Sequence, residues 1–179
     1  DLFDKDSSTP LWDYPAGGLV ESVASSADGE YIAAGSNGLE NKVYLFDKDS
    51  GTPLWNYTTD DAVHSVAISA DGEYIAAGSY DEKVYLFDKD SSTPLWDYTA
   101  GGLAESVAIS AYGEYIAAGS NGLENKVYLF DKDSGTPLWN YTTDDAVHSV
   151  AISADGEYIP AGSNDQQVYL VAKDSSHPP

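Results

Sequence analysis

The chain has 179 residues, 30 acidic side chains against eight basic ones, all of them lysine, and a formal net charge of −22. That length supports one domain with a real core, while the charge excludes partners that need clustered Lys and Arg, nucleic acid above all and an anionic membrane surface with it. No apolar run is long enough to cross a bilayer, and the absence of Cys removes disulfides, thiolate metal sites and thiol nucleophiles.

In chain order, the first predicted element is a strand over Pro10–Tyr14 carrying Trp12. Repeating units follow over about 21–57, 64–98, 105–141 and 148–172. The second unit shows the pattern. Its innermost strand is Ser65–Ser69, followed by an Asp71-Gly72 turn, then Tyr74–Ser79, then a strand from Lys83 to Asp88, then an outer strand ending Pro94-Leu95-Trp96-Asp97-Tyr98. Each piece is short, rich in β-branched and aromatic residues, and bounded by turn formers. Asp-Gly supplies the positive φ of a tight hairpin. Val66 and Ile68 face one side of the innermost strand and Ser65, Ala67 and Ser69 the other, and bulk rises outward to Trp96 and Tyr98. Such a wedge suits sheets arranged around an axis.

The repeat dominates the sequence. Trp12, Trp55, Trp96 and Trp139 recur about every 42 residues, as do the Asp-Lys-Asp triplets starting at Asp4, Asp47, Asp88 and Asp131. The true period is a pair of units. Residues 1–84 laid on 85–168 leave about nine mismatches, the mark of a fresh duplication or of design. With no Met even at position 1, the chain is expected to be a processed product, a fragment or a designed sequence.

Four strands per unit of about 42 residues give the fold class: all-β, a β-propeller with four blades of four antiparallel strands in one domain over 1–179. The run Val-His-Ser-Val-Ala-Ile-Ser-Ala-Asp-Gly-Glu-Tyr-Ile-Ala-Ala-Gly-Ser, with Lys-Val-Tyr-Leu-Phe-Asp after it, resembles a WD repeat, with Phe87-Asp88 standing where that family has Trp-Asp. The run Asp47-Lys48-Asp49-Ser50-Gly51-Thr52-Pro53-Leu54-Trp55 resembles the pyrroloquinoline-quinone-type propeller repeat. Quinone enzymes of that family use adjacent cysteines, which this chain lacks, so the resemblance implies no cofactor. The last unit departs from the pattern, with Val171 and Ala172 at the Phe-Asp positions.

By the family's convention the Trp strand is outermost, so Pro10–Tyr14 is expected to complete the last blade as its outer strand and hide its edge. Two closures are open: a four-bladed ring from one chain, or an eight-bladed ring from two chains, a C2 homodimer, which is favoured. The tail Lys173–Pro179 begins another approach to an outer strand and ends in prolines.

Candidate contact residues follow from the alternation of the two kinds of blade. The position just before the Ser that opens the innermost strand reads Glu21, His64, Glu105, His148. In similar propellers this position lines the channel mouth, and His with carboxylate can bind a metal or titrate as a pair. A wide ring is expected to hold these residues too far apart for one ion, so no metal site is assigned. The same face carries the loops Asn37–Asn41 and Asn121–Asn125, with Leu39 and Leu123 at exposed tips, and the shorter loop beginning at Tyr80; loops on a rigid scaffold are the usual home of binding. Asp47-Lys48-Asp49-Ser50-Gly51 lacks the oxygens of a calcium loop and reads as a capped turn. Asn56 and Asn140 open glycosylation sequons on outer strands. No catalytic set emerges: there is no nucleophile elbow, and His64 and Ser65, as strand neighbours, should point to opposite faces.

The function these residues point to is a non-enzymatic binding or structural scaffold with a protein partner on the loop face, extracellular or at the cell surface rather than cytoplasmic. Two alternatives stay open, a multivalent lectin-like binder using Trp, Tyr and Asp, and a fragment of a longer repetitive propeller protein. No nucleotide, haem or quinone is expected.

Overall fold

The computed structural model describes residues 2–3 and 8–174. The Asp4 copy of the triplet and the tail from Ser175 lie outside them. The described residues contain strands and turns and no helix. Blade 1 is β3 (Val20–Ser25), β4 (Tyr31–Ser36), β5 (Lys42–Asp47) and β6 (Pro53–Thr58). Blade 2 is β7 (Val63–Ile68), β8 (Tyr74–Ser79), β9 (Lys83–Asp88) and β10 (Trp96–Thr99). Blade 3 is β11 (Gly102–Ile109), β12 (Tyr115–Gly122), β13 (Lys126–Asp131) and β14 (Pro137–Thr142). Each is a four-stranded antiparallel meander in sequence order. Blade 4 has three strands, β15 (Val147–Val150), β16 (Tyr158–Ser163) and β17 (Val168–Ala172). A separate pair, β1 (Leu2–Phe3) and β2 (Pro10–Trp12), precedes blade 1.

The core lies between the blades. Along Val-Tyr-Leu-Phe, alternate side chains enter opposite interfaces. Tyr85 and Phe87 pack toward blade 1, in one cluster with Val43, Leu45 and Val63. Val84 and Leu86 pack toward blade 3, in another with Ala104, Val107, Tyr128 and Phe130. A strand apolar throughout is what burial on both faces demands. We call the face toward the preceding blade leading and the other trailing.

Small residues set how closely the blades approach. A Cβ at Gly35 would lie 2.6 Å from Val63 of the next blade, and one at Gly119 would lie 2.7 Å from Val147. Each outer Trp then clasps the following blade. The indole Nε1–H of Trp12, Trp55, Trp96 and Trp139 donates to the carbonyls of Lys48, Lys89, Lys132 and Lys173 at 2.8, 2.7, 2.8 and 2.9 Å. Trp55 and Trp96 also lie 5.3 and 5.1 Å from the rings of Phe87 and Phe130, so Phe at the Trp-Asp position is the seat of the neighbour's indole. Val171 removes that aromatic seat for Trp139.

One expectation is corrected here. The N-terminal strand does not complete blade 4: β2 pairs with β1, and Trp12 stacks on Phe46 at 5.2 Å, against the leading face of blade 1. The reason is the clasp, which fixes each Trp strand to the blade that follows it in the chain. The blades therefore form an arc, with β17, which carries the exposed Leu170, left as an edge.

Candidate interaction face

Every innermost strand carries a β-bulge at the same place. The register with its neighbour shifts between Val20 and Ser22, Val63 and Ser65, Ala104 and Ser106, and Val147 and Ser149. The extra residues are Glu21, His64, Glu105 and His148. A bulge re-aims its side chain out of the pleat, here toward the rim that holds the loops between second and third strands. It also suspends the period-two alternation, correcting the expectation for His64 and Ser65. Both reach toward blade 3: His64 Nδ1 lies 3.0 Å from the Glu105 carbonyl, and Ser65 Oγ accepts from the Val107 N–H at 3.1 Å. They still make no nucleophile–base contact, because His64 Nδ1 is turned to the Glu105 carbonyl and not to the Ser65 hydroxyl.

The expected separation of the rim residues is corrected as well. The Glu105 carboxylate stands between two histidines, 3.6 Å from His64 Nδ1 and 3.7 Å from His148 Nδ1. The bulges lean neighbouring side chains toward each other along the inner edge of the arc. Glu105 is buried, and it also accepts from Asn121 Nδ2 and, at 3.4 Å, from the Tyr80 hydroxyl. Tyr80 stacks on His64 with ring centroids 4.9 Å apart and planes 14° from parallel. Burial and the Glu105 charge push the Tyr80 phenol above its usual range, since both disfavour the phenolate. Glu21 accepts from Asn37 Nδ2 and stays exposed, lacking a blade before it. His148 is also exposed, and Asn164 takes the place of Tyr80 in its blade. Among the described residues no group of three or more His, Asp and Glu could hold a metal ion.

The two loop types are built differently. In blades 1 and 3, Lys42 and Lys126 pair with Glu40 and Glu124 at 2.8 and 2.5 Å, which holds both carboxyls below the usual range. The Tyr44 hydroxyl donates to the Ala16 carbonyl at 2.9 Å and reaches Glu40 at 3.1 Å. Burial, followed by that carboxylate, pushes Tyr44 up to about 12. These loops leave Leu39 and Leu123 96% and 97% exposed. In blades 2 and 4, Asp81 and Asp165 accept from Tyr85 and Tyr169 at 2.6 Å and cap their own turns. The Tyr clasp and the Asn–Glu bonds were missed in the sequence, although Glu40 and Asp81 each precede a Tyr by four residues in every copy.

The remaining candidates lie elsewhere. Asn56 and Asn140 are exposed on outer strands at the perimeter. Asp47 is a turn cap: its Oδ1 accepts from the Asp49 N–H at 2.8 Å and its carbonyl from the Ser50 N–H at 3.1 Å.

Comparison with known proteins gives the fold and the family. No curated protein matches the chain. Solved structures that match number 1695 chains. One, a chain of "Crystal Structure of Mitotic Checkpoint Complex", superposes with a TM-score of 0.73 at 21% identity over 86% of this chain. This chain spans 50% of that one's length, and the likeness speaks for the propeller fold alone. A family model described as "Outer membrane protein assembly factor BamB" matches residues 1–176. Four bulged meanders, clasped in series by their Trp strands and matched over almost their whole length by that model, make this chain a member of the BamB family of PQQ-type β-propeller repeats.

Proposed function

We propose that the chain is a non-enzymatic scaffold, one propeller domain whose rim-and-loop face binds a basic, partly apolar protein surface. The observation that carries this reading is the convergence on one face of the Glu21–His64–Glu105–His148 rim, Tyr80 and two almost fully exposed leucines at the tips of braced loops. Exposed apolar side chains within a polar rim are the anatomy of a contact surface. The net charge of −22 favours basic partners and speeds their encounter. Ser22, Ser65 and Ser106 each accept a neighbouring backbone N–H, which gives these hydroxyls a structural task between blades, as a scaffold requires. The four indole N–H groups are bonded between blades, which gives the tryptophans a structural task and favours the scaffold reading over the lectin-like one. The family's description, an outer membrane protein assembly factor, is in keeping with a place at the cell envelope.

The test is titration of a Lys- and Leu-containing amphipathic peptide alongside a panel of neutral oligosaccharides. The peptide is expected to bind, to weaken about tenfold in the Leu39→Ser/Leu123→Ser double variant, as the loss of two apolar contacts implies, and to weaken further with salt. Sugar binding that ignores the double variant would overturn the reading.

A further inference from the structure

The two ends of the arc carry halves of an interface that the molecule already makes three times. On the leading side, Val63 and Val66, Ala104 and Val107, and Val147 and Val150 are buried in blades 2, 3 and 4, whereas Val20 and Val23 in blade 1 are 50% and 67% exposed. On the trailing side, Val43, Val84 and Val127 are fully buried, whereas Val168 in blade 4 is 84% exposed. Gly35, Gly78 and Gly119 are each pressed by the following blade; Gly162 has nothing within 4 Å.

Three series of contacts stop at these same two faces. The N–H groups of Val66, Val107 and Val150 donate to Ser22, Ser65 and Ser106, and the members left over are Ser149 in blade 4 and Val23 in blade 1. The N–H groups of Ala27, Ala70 and Ala111 donate to the carbonyls of Ala70, Ala111 and Ala154, which leaves Ala154 N–H and the Ala27 carbonyl. The rings of Tyr31, Tyr74 and Tyr115 sit against Gly72, Gly113 and Gly156. Tyr158, 55% exposed, and Gly29, with nothing within 4 Å, remain.

The repeat also departs in a complementary way at these faces. Ala33, Ala76 and Ala117 on the trailing side give way to the larger Pro160, while Ile68, Ile109 and Ile152 on the leading side give way to the smaller Ser25. Ser25 lines a cavity of about 320 Å³ together with Trp12, Tyr14, Val20 and Val23.

We propose that the occupant is a second copy of this chain. Blade 4 of each copy seats its trailing face on blade 1 of the other, and β17 takes the place beside β2 that the two-residue β1 holds in the single chain. Two such contacts related by a two-fold axis close one eight-bladed ring. Continuity with the three internal interfaces carries the choice of occupant, because the bare faces are further copies of surfaces already shown to fit. Closure also sets His148 of one copy beside Glu21 of the other, continuing the rim. This inference concerns the ends of the arc and does not depend on what the loop face binds.

The experiment is the mass of the protein in solution, by light scattering at micromolar concentrations. The expected value is twice the 19.1 kDa of one chain. Val23→Glu and, separately, Gly162→Val are expected to halve it with an unchanged circular dichroism spectrum, because neither touches a packed contact of the single arc. Leu39→Ser should leave the doubled mass intact. A wild-type mass of 19.1 kDa, a higher multiple, or a doubled mass that survives both end-face variants overturns the proposal.

Discussion

Blades 2 and 4 have nearly the same sequence and different fates. Residues 63–79 and 147–163 differ only where Ala76 becomes Pro160. Blade 2 is covered on both faces, and Val84 and Leu86 are fully buried; in blade 4 the matching Val168 and Leu170 face solvent. The inner strand β7 runs six residues, whereas β15 runs four. The same side chains thus contribute very differently to stability, because burial belongs to the neighbour as much as to the residue. Pro160 adds a local cause. In blade 2, Ala67 and Ala76 are opposed in the ladder. In blade 4 the Ala151 N–H still donates to the Pro160 carbonyl at 3.0 Å, but Pro has no N–H to return.

That comparison can be broken or sharpened by paired substitutions, best made in the Val23→Glu background so that single arcs are measured. The largest difference is expected for leucine. Leu86→Ala should cost about 2–5 kcal/mol in urea unfolding, and Leu170→Ala less than about 1 kcal/mol; equal costs would show that the trailing face of blade 4 is covered within one chain. Glycine comes next. A Cβ at Gly78 would stand 2.8 Å from the Ala104 carbonyl oxygen, so Gly78→Ala should destabilise by about 1–3 kcal/mol, while Gly162→Ala should be close to neutral. The smallest effect is a gain. Pro160→Ala restores a ladder donor and should add about 1 kcal/mol, with the new amide at position 160 protected from hydrogen exchange; an amide that exchanges freely would show that the short β15 has another cause.

How much was legible in the sequence follows from the same residues. The strands, their order and the propeller class could be read because Val-Tyr-Leu-Phe, Asp-Gly and the Trp period are local signals repeated in every unit. The rim positions Glu21, His64, Glu105 and His148 were also legible as an alternation. Their contacts were not, since a bulge is a mismatch between two strands and has no signature in either one. The place of the N-terminal strand within the chain was misjudged for a related reason. A Trp strand is defined by the blade it packs against, and Trp12 chooses blade 1 through the Lys48 carbonyl and the Phe46 ring, which spacing cannot reveal.

By itself, then, the sequence determined the elements and their periodicity, because backbone propensity and side-chain alternation act within a few residues. Tertiary structure alone decided which copies of a repeated side chain are buried, which carboxylate meets two histidines, and which faces of the arc stay bare, because each of these depends on a second blade brought within van der Waals reach.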